Sequence, residues 1–176
     1  MIAQSFSSAA ASTAARASTC FVYGTLMSPD VLRVLLGRVP TMLPNARLHG
    51  HSRHPVRGMV YPGVIPVKNA DSSGVEGVLL LDITSSEMKC LDYFEVEGTD
   101  YIRSNVEVEI PGRHDTGDAD TGKRTMKADA YIWTLGESKL DLSCGWDYDV
   151  FLQKHLEWYR ETVVRPCRDE IERTIL

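Results

Sequence analysis

Two short segments of this chain combine residue types whose spacing can do chemistry. The first is Val22-Tyr23-Gly24-Thr25-Leu26-Met27, where an apolar run stops at Gly24 just ahead of Ser28-Pro29-Asp30. A glycine at that point lets the backbone turn its N–H groups toward a ligand. A helix start immediately downstream adds a favourable potential for an anion. The segment reads either as a nest for a carboxylate or developing oxyanion, or as an ordinary strand-to-helix turn. The second segment is Asp92-Tyr93-Phe94-Glu95, at the close of a middle helix. An acid at a helix C-terminus faces exposed carbonyl oxygens that disfavour its charge, and burial pushes the same way. Both raise a carboxyl pKa toward the range useful to a general base. The competing reading is a solvated carboxylate at a helix end.

Other candidate chemistries are weaker. In His49-x-His51-x-x-His54 the first two histidines would share a strand face and offer two metal ligands. No Cys or carboxylate nearby completes the set, so no metal is expected and surface or core histidines are the simpler account. Cys20, Cys90, Cys144 and Cys167 are far apart and form no C-x-x-C pair, which argues against a zinc ribbon or a redox dithiol. A chain of this size can stand on its own core without disulfides, so mostly buried free thiols in a reducing compartment are expected. None of the four has a histidine in a recognisable nucleophile pattern. Nucleophile-elbow, P-loop and dinucleotide fingerprints are missing too.

The elements that must position these residues follow from pattern. Cys20 to Tyr23 suits a buried strand. Ser28 can cap a helix that has Pro29 in its first position and ends at Gly37. Ala46 to Val67 is irregular, with short bent strands and Tyr61-Pro62-Gly63-Val64-Ile65-Pro66 at its end. Val75 to Asp82 is the clearest strand. Thr84-Ser85-Ser86-Glu87 is a capping box, so a helix should run from Ser85 to Phe94 with Met88, Leu91 and Phe94 inward. Gly98 breaks the chain beyond it. Ile102, Ser104, Val106, Val108 and Ile110 alternate with polar residues, as in a strand with one wet face. A polar loop from Pro111 to Arg124 leads to a strand from Met126 to Thr134. Asp149 to Val163 should be helical, with Phe151, His155, Trp158, Tyr159 and Thr162 on one side, and Arg168 to Leu176 a second helical piece. Strands gathered around one middle helix, with terminal helices outside, give an α+β domain on a curved or barrel-like sheet.

Composition narrows the function classes. With 43% hydrophobic and 24% charged residues, the 176-residue chain can build one globular core. A net charge of −5, from 19 basic and 24 acidic residues, is a poor footprint for nucleic acid. No apolar run approaches the ~20 residues that span a bilayer. Residues 1–19 are Ser/Ala-rich, with one Arg and no acid, and bury too little to repay their ordering. They read as a disordered tail ahead of a domain at 20–176, in a cytoplasmic protein. Alternatively they are a transit peptide for a plastid or mitochondrion.

The blocks FVYGTL, YPGVIP, VEGVLLLDI and LDYFEVEGTDYIR, in that order, resemble the γ-glutamylcyclotransferase-like superfamily, closest to its plant avirulence-induced-gene branch. The resemblance runs from about Phe21 to Arg160 and includes the aromatic-rich helix from Phe151 to Tyr159. It implies a small mixed β-barrel with flanking helices. It places substrate binding on Val22, Tyr23, Gly24, Thr25, Leu26 and Met27, with Tyr101 and Arg103 downstream, and proton transfer on Glu95. The implied reaction is an intramolecular acyl transfer that expels an amine and forms 5-oxoproline. The partner is then a small γ-glutamyl substrate, the protein is expected to act as a monomer, and no metal or cofactor is needed. The acidic stretch Val96 to Asp100 would bear on which substrate tail is accepted. The rival readings are a non-catalytic small-molecule-binding module on the same fold, and an enzyme for γ-glutamyl-ε-lysine or another γ-glutamyl amide.

Overall fold

The computed structural model describes residues 17–68, 74–112 and 124–175. Most of the Ser/Ala-rich segment, and the tip of the loop expected between Pro111 and Arg124, lie outside those residues. In chain order the elements are β1 (Ser18–Val22), α1 (Pro29–Leu36), β2 (Thr41–His49), β3 (His51–Pro55), β4 (Pro62–Pro66), β5 (Gly74–Ile83), α2 (Ser85–Phe94), β6 (Tyr101–Ile110), β7 (Arg124–Trp133), α3 (Tyr148–Lys154), α4 (Leu156–Tyr159) and α5 (Arg165–Thr174). Five strands close a barrel in the order β1-β5-β2-β6-β7, and β3 and β4 form a separate ribbon. The barrel is mixed because β1, antiparallel to β5, runs parallel to β7, with Cys20 opposite Asp129 and Phe21 opposite Ala130. This is an α+β fold, a small mixed β-barrel with flanking helices.

Strand alternation divides the core in two. Phe21, Leu79, Val108 and Ala130 point into the barrel. Cys20, Val22, Leu80 and Tyr131 point outward, against a layer built from α1, α2 and the C-terminal helices. The helix α2 therefore packs on the outside of the barrel through Met88, Cys90 and Leu91; the strands do not gather around it. The barrel wall is tight beside the loop that follows β1. A Cβ on Gly77 would lie 2.4 Å from the Val22 carbonyl oxygen and 2.7 Å from the Phe21 ring, so only glycine fits there.

Several local expectations meet their physical limits. β1 begins at Ser18, two residues before Cys20. Ser28 stands at the N-cap of α1, but its side chain makes no capping bond. β2 starts at Thr41, ahead of the irregular stretch, because a bulge between Leu43 and Ala46 absorbs Pro44. Asn45 takes up the left-handed conformation there, with φ 59°. Ile102 shares the phase of the apolar residues of β6 yet is 49% exposed, since it lies at the end of the strand away from Val108 and Ile110. Trp158 is 53% exposed, and Thr162 is exposed as well. The buried residues are instead Phe151, Tyr159, Val164 and Ile171. A π turn at Arg160–Val164 separates α4 from α5, and the wider turn shifts the inward face by a residue. Cys144 is exposed, unlike Cys20 and Cys90, which are buried.

Both ends of α2 are pinned. Thr84 Oγ1 accepts from the Glu87 N–H at 3.2 Å, and Glu87 Oε2 accepts from the Thr84 N–H at 2.8 Å. Arg38, just past α1, grips the same carboxylate with contacts of 2.5 and 2.7 Å. At the other end the Glu97 N–H donates to the Asp92 carbonyl at 2.9 Å and the Val96 N–H to that of Tyr93 at 3.2 Å. That pairing is a Schellman motif, whose left-handed position usually carries glycine. Here it is Val96, at φ 49° and 49% exposed, a costly conformation for a β-branched residue. Val96→Gly should therefore stabilise the protein by about 0.5–1 kcal/mol, after allowing for the added freedom of the unfolded chain. Urea unfolding would show a higher midpoint with unchanged slope; a lower midpoint would mean that the valine packs better than its exposure suggests.

Candidate active site

A cavity of about 600 Å³ opens where the end of β1, the end of α2 and the start of β6 converge, with the C-terminal helices along one side. On one wall is the turn after β1. Thr25–Met27 forms a single 3₁₀ turn, closed by the Met27 N–H on the Gly24 carbonyl at 3.0 Å and the Ser28 N–H on that of Thr25 at 3.1 Å. The first N–H groups of such a turn have no acceptor within it, so those of Thr25 and Leu26 are available to a ligand. Pro62 packs on Gly24 so closely that a Cβ would meet its ring at 2.9 Å. Arg53 holds the base of the turn, donating to the Tyr23 carbonyl at 2.6 Å with its guanidinium 5.3 Å from the Trp146 ring centroid.

Opposite the turn is Glu95, the C-cap of α2, whose N–H donates to the Leu91 carbonyl at 2.9 Å. Its side chain lines the cavity and keeps partial contact with solvent, while protein surrounds it on the other sides. Burial alone moves its pKa, from 4.5 for a free glutamate to about 8; among the described residues no cation or hydrogen bond offsets the lost hydration. Tyr23, Tyr101 and Tyr159 are pushed upward by burial first and by the charge of Glu95 next, as is the Cys20 thiol, and for Tyr159 a hydrogen bond from Thr25 works against the rise. Cys167, also on the cavity wall, is raised to about 11 by burial. Neither thiol is an activated nucleophile.

Asp92, one turn earlier on α2, is held differently. Arg103 Nε lies 3.0 Å from its Oδ1, and the Tyr131 hydroxyl donates to the same oxygen at 2.8 Å. Arg103 also reaches Asp129 at 3.3 Å. The Tyr131 carbonyl in turn accepts the Tyr23 hydroxyl proton, so this network fixes the ring at the entrance to the turn.

Of the residues expected at a site, Val22, Tyr23, Gly24, Thr25, Leu26, Tyr101 and Glu95 all line the cavity. Met27 packs against the helical core instead. Arg103 is turned away by its two aspartates, which supply a stronger field than an open cavity does, so it braces α2 against β6 and β7. Tyr61, Tyr131 and Tyr159 line the cavity as well and were not anticipated there. The aromatic-rich C-terminal helix was the one available signal, and it did not say which ring turns inward. His49 and His51 do not share a strand, because a turn at Gly50 separates β2 from β3. His49 Nε2 pairs with Glu109 at 2.8 Å. Among the described residues no group of three or more metal-ligating side chains occurs, and no helix is long and apolar enough to cross a membrane.

This small mixed barrel carries a cavity lined by both the Glu95 side chain and the Gly24–Leu26 turn. Residues 20–148 match the family model described as gamma-glutamyl cyclotransferase, AIG2-like, and the chain belongs to that family. It is similar to AIG2-like protein D of Arabidopsis thaliana, 35% identical over 139 residues that cover 79% of this chain and 82% of that one. AIG2-like protein C of the same plant is 36% identical over 138 residues, covering 78% and 70%. Among solved structures, the solution structure of an Arabidopsis thaliana protein superposes with a TM-score of 0.57 at 26% identity, covering 94% of this chain and 98% of that one. A gamma-glutamyl cyclotransferase of known structure shares the fold, with a TM-score of 0.51 at 13% identity over 90% and 99% of the two chains.

The raised pKa of Glu95 has a consequence for stability. The folded protein holds this proton more tightly than the unfolded chain, so the contribution is present in full below 4.5 and is lost as pH rises through about 8. Glu95→Gln removes that loss. Thermal unfolding should give the Gln variant and the wild type similar melting temperatures near pH 4.5, and a clearly higher one for the variant at about pH 9. A difference that does not change with pH would mean that the Glu95 carboxyl is solvated.

Proposed function

We propose that this protein cyclises γ-glutamyl amines to 5-oxoproline and a free amine, with Glu95 as the proton-transferring group. The observation that carries the reading is the carboxyl group of Glu95, unpaired, with a pKa of about 8, on the wall of a cavity bounded by the Gly24–Leu26 turn. The α-amino nitrogen of the γ-glutamyl group attacks its own γ-carbonyl carbon. A carbon–nitrogen bond forms in the five-membered ring, and the bond to the leaving amine breaks. The α-ammonium group first gives up one proton to solvent to become a free amine; as the ring closes Glu95 takes a second proton from that nitrogen and passes it to the departing nitrogen, which leaves as a neutral amine. A base with a pKa near neutrality can do both. The N–H groups of the turn stabilise the oxyanion, and holding the glutamyl chain folded supplies much of the acceleration. No metal or organic cofactor enters this scheme. It is supported by the family to which the chain belongs and by the retention of both the turn and the carboxyl group.

Substituting Glu95 by Gln keeps the shape but removes the acceptor. Release of 5-oxoproline should fall by roughly 10²–10⁴-fold in a variant that remains folded. In the wild type the acidic limb of kcat/KM against pH should sit near 8. A folded Gln variant with undiminished turnover would remove Glu95 from the mechanism. A wild type that binds γ-glutamyl compounds and converts none would favour a binding module on the same fold.

The leaving amine is constrained by charge. Glu97 and Asp100 line the cavity with Glu95, and among the described residues lining it none is Lys or Arg. An anionic tail would enter an uncompensated negative field. We expect γ-glutamyl amines with a neutral or cationic tail to be turned over with kcat/KM at least about tenfold above glutathione, whose tail is a carboxylate. The gap should narrow when Glu97 and Asp100 are replaced by Gln and Asn. Equal rates for both tails would refute the charge argument without touching the role of Glu95.

A further inference from the structure

Six tyrosines line the cavity, and their hydroxyl protons are not equally committed. Tyr23 donates to the Tyr131 carbonyl, Tyr101 to the Pro62 carbonyl at 2.8 Å, and Tyr131 to the Asp92 carboxylate at 2.8 Å. Tyr93 bonds to Glu170. Of the remaining two, Tyr61 is half-buried, whereas Tyr159 is only 4% exposed. The Tyr159 hydroxyl has one partner among the described residues, the Thr25 hydroxyl 3.5 Å away, a contact at the long limit of a hydrogen bond in which either oxygen can donate. A buried hydroxyl so weakly satisfied gains from a closer partner in the cavity.

The ring is held in place. Phe94 and Phe151 meet it edge-on, with centroids 6.4 and 5.5 Å away. Tyr159 is also the last residue of α4, directly before the π turn, an irregularity often found at functional positions. The segment matched by the family model ends at residue 148. This phenol reaches the cavity from the C-terminal helices, which follow the matched segment.

We propose that Tyr159 is a substrate-binding residue that donates its hydroxyl proton to the substrate oxygen seated against the Gly24–Leu26 turn, so that the C-terminal helices complete the site. The identity of that oxygen rests on the cyclotransferase reading: it is the γ-carbonyl oxygen of the γ-glutamyl group, which becomes the lactam oxygen of 5-oxoproline. Thr25 aligns the phenol with the turn, and a single bound oxygen satisfies both.

Tyr159→Phe keeps the ring and its packing. With the γ-glutamyl amine that the wild type turns over best, kcat/KM should fall about 10–100-fold, mostly in kcat, at a melting temperature close to that of the wild type. Affinity for 5-oxoproline, followed by NMR titration, should fall about 5–10-fold. A phenol that only buttressed the turn through Thr25 would cost nothing further once Thr25 is Val. We expect the same loss when Tyr159→Phe is introduced into a Thr25→Val background. Turnover and product binding both within about twofold of the wild type would overturn the proposal. So would the absence of a further loss in the Thr25→Val background, or no binding of 5-oxoproline by the wild type at all. If the wild type releases no 5-oxoproline but binds it, and Tyr159→Phe weakens that binding, the cyclotransferase reading fails while the donor role of Tyr159 stands.

Discussion

An unpaired carboxyl group in a walled cavity is the constraint on which the rest of this site depends. Withdrawing a carboxylate from water disfavours its charge, and no cation among the described residues compensates at Glu95. Holding the group there requires a helix that cannot slide or fray. The structure meets that need at both ends of α2, with the Thr84–Glu87 capping box gripped by Arg38 at the start and a Schellman turn through Val96 at the finish. The strain accepted at Val96 is consistent with a backbone fixed to aim one side chain.

The same helix carries a second carboxylate whose environment is opposite. Asp92 has an arginine and a phenol bound to one oxygen, whereas Glu95 has neither. Two acids three residues apart thus serve different ends, one bracing α2 to the barrel and the other left open to chemistry. Arg103 belongs to this brace and is not among the described residues lining the cavity. The phenols around the cavity follow a similar division. Most spend their protons on protein acceptors, which sets the shape of the wall, and the few that do not are left to face whatever binds.

The cavity also joins two parts of the chain, the barrel with its turn and α2, and the helical arm that follows. The barrel, the turn and α2 lie within the segment that matches the family model, residues 20–148. The helical arm that follows packs against α1 and α2 and lends Tyr159 to the wall.

How much of this was legible in the sequence depends on how local each feature is. The helix from Ser85 to Phe94, its capping box, the helix stop at Gly37 and the strand around Val75 to Asp82 were all readable, because each is decided by residues within a few positions of one another. Gly24 and Glu95 were recognisable as candidates for the same reason. What the sequence could not supply was whatever depends on chain segments meeting far from their places in the sequence. The parallel junction of β1 with β7 closes the barrel across more than a hundred residues. The direction of Arg103 is set by aspartates on α2 and β7. The inward turn of Tyr159, and the outward turn of Trp158 beside it, follow from a π turn that no periodicity announces. Local chemistry fixed which residues could act; only long-range packing decided which of them face the same cavity, because burial and partner geometry belong to the closed barrel and not to any segment of it.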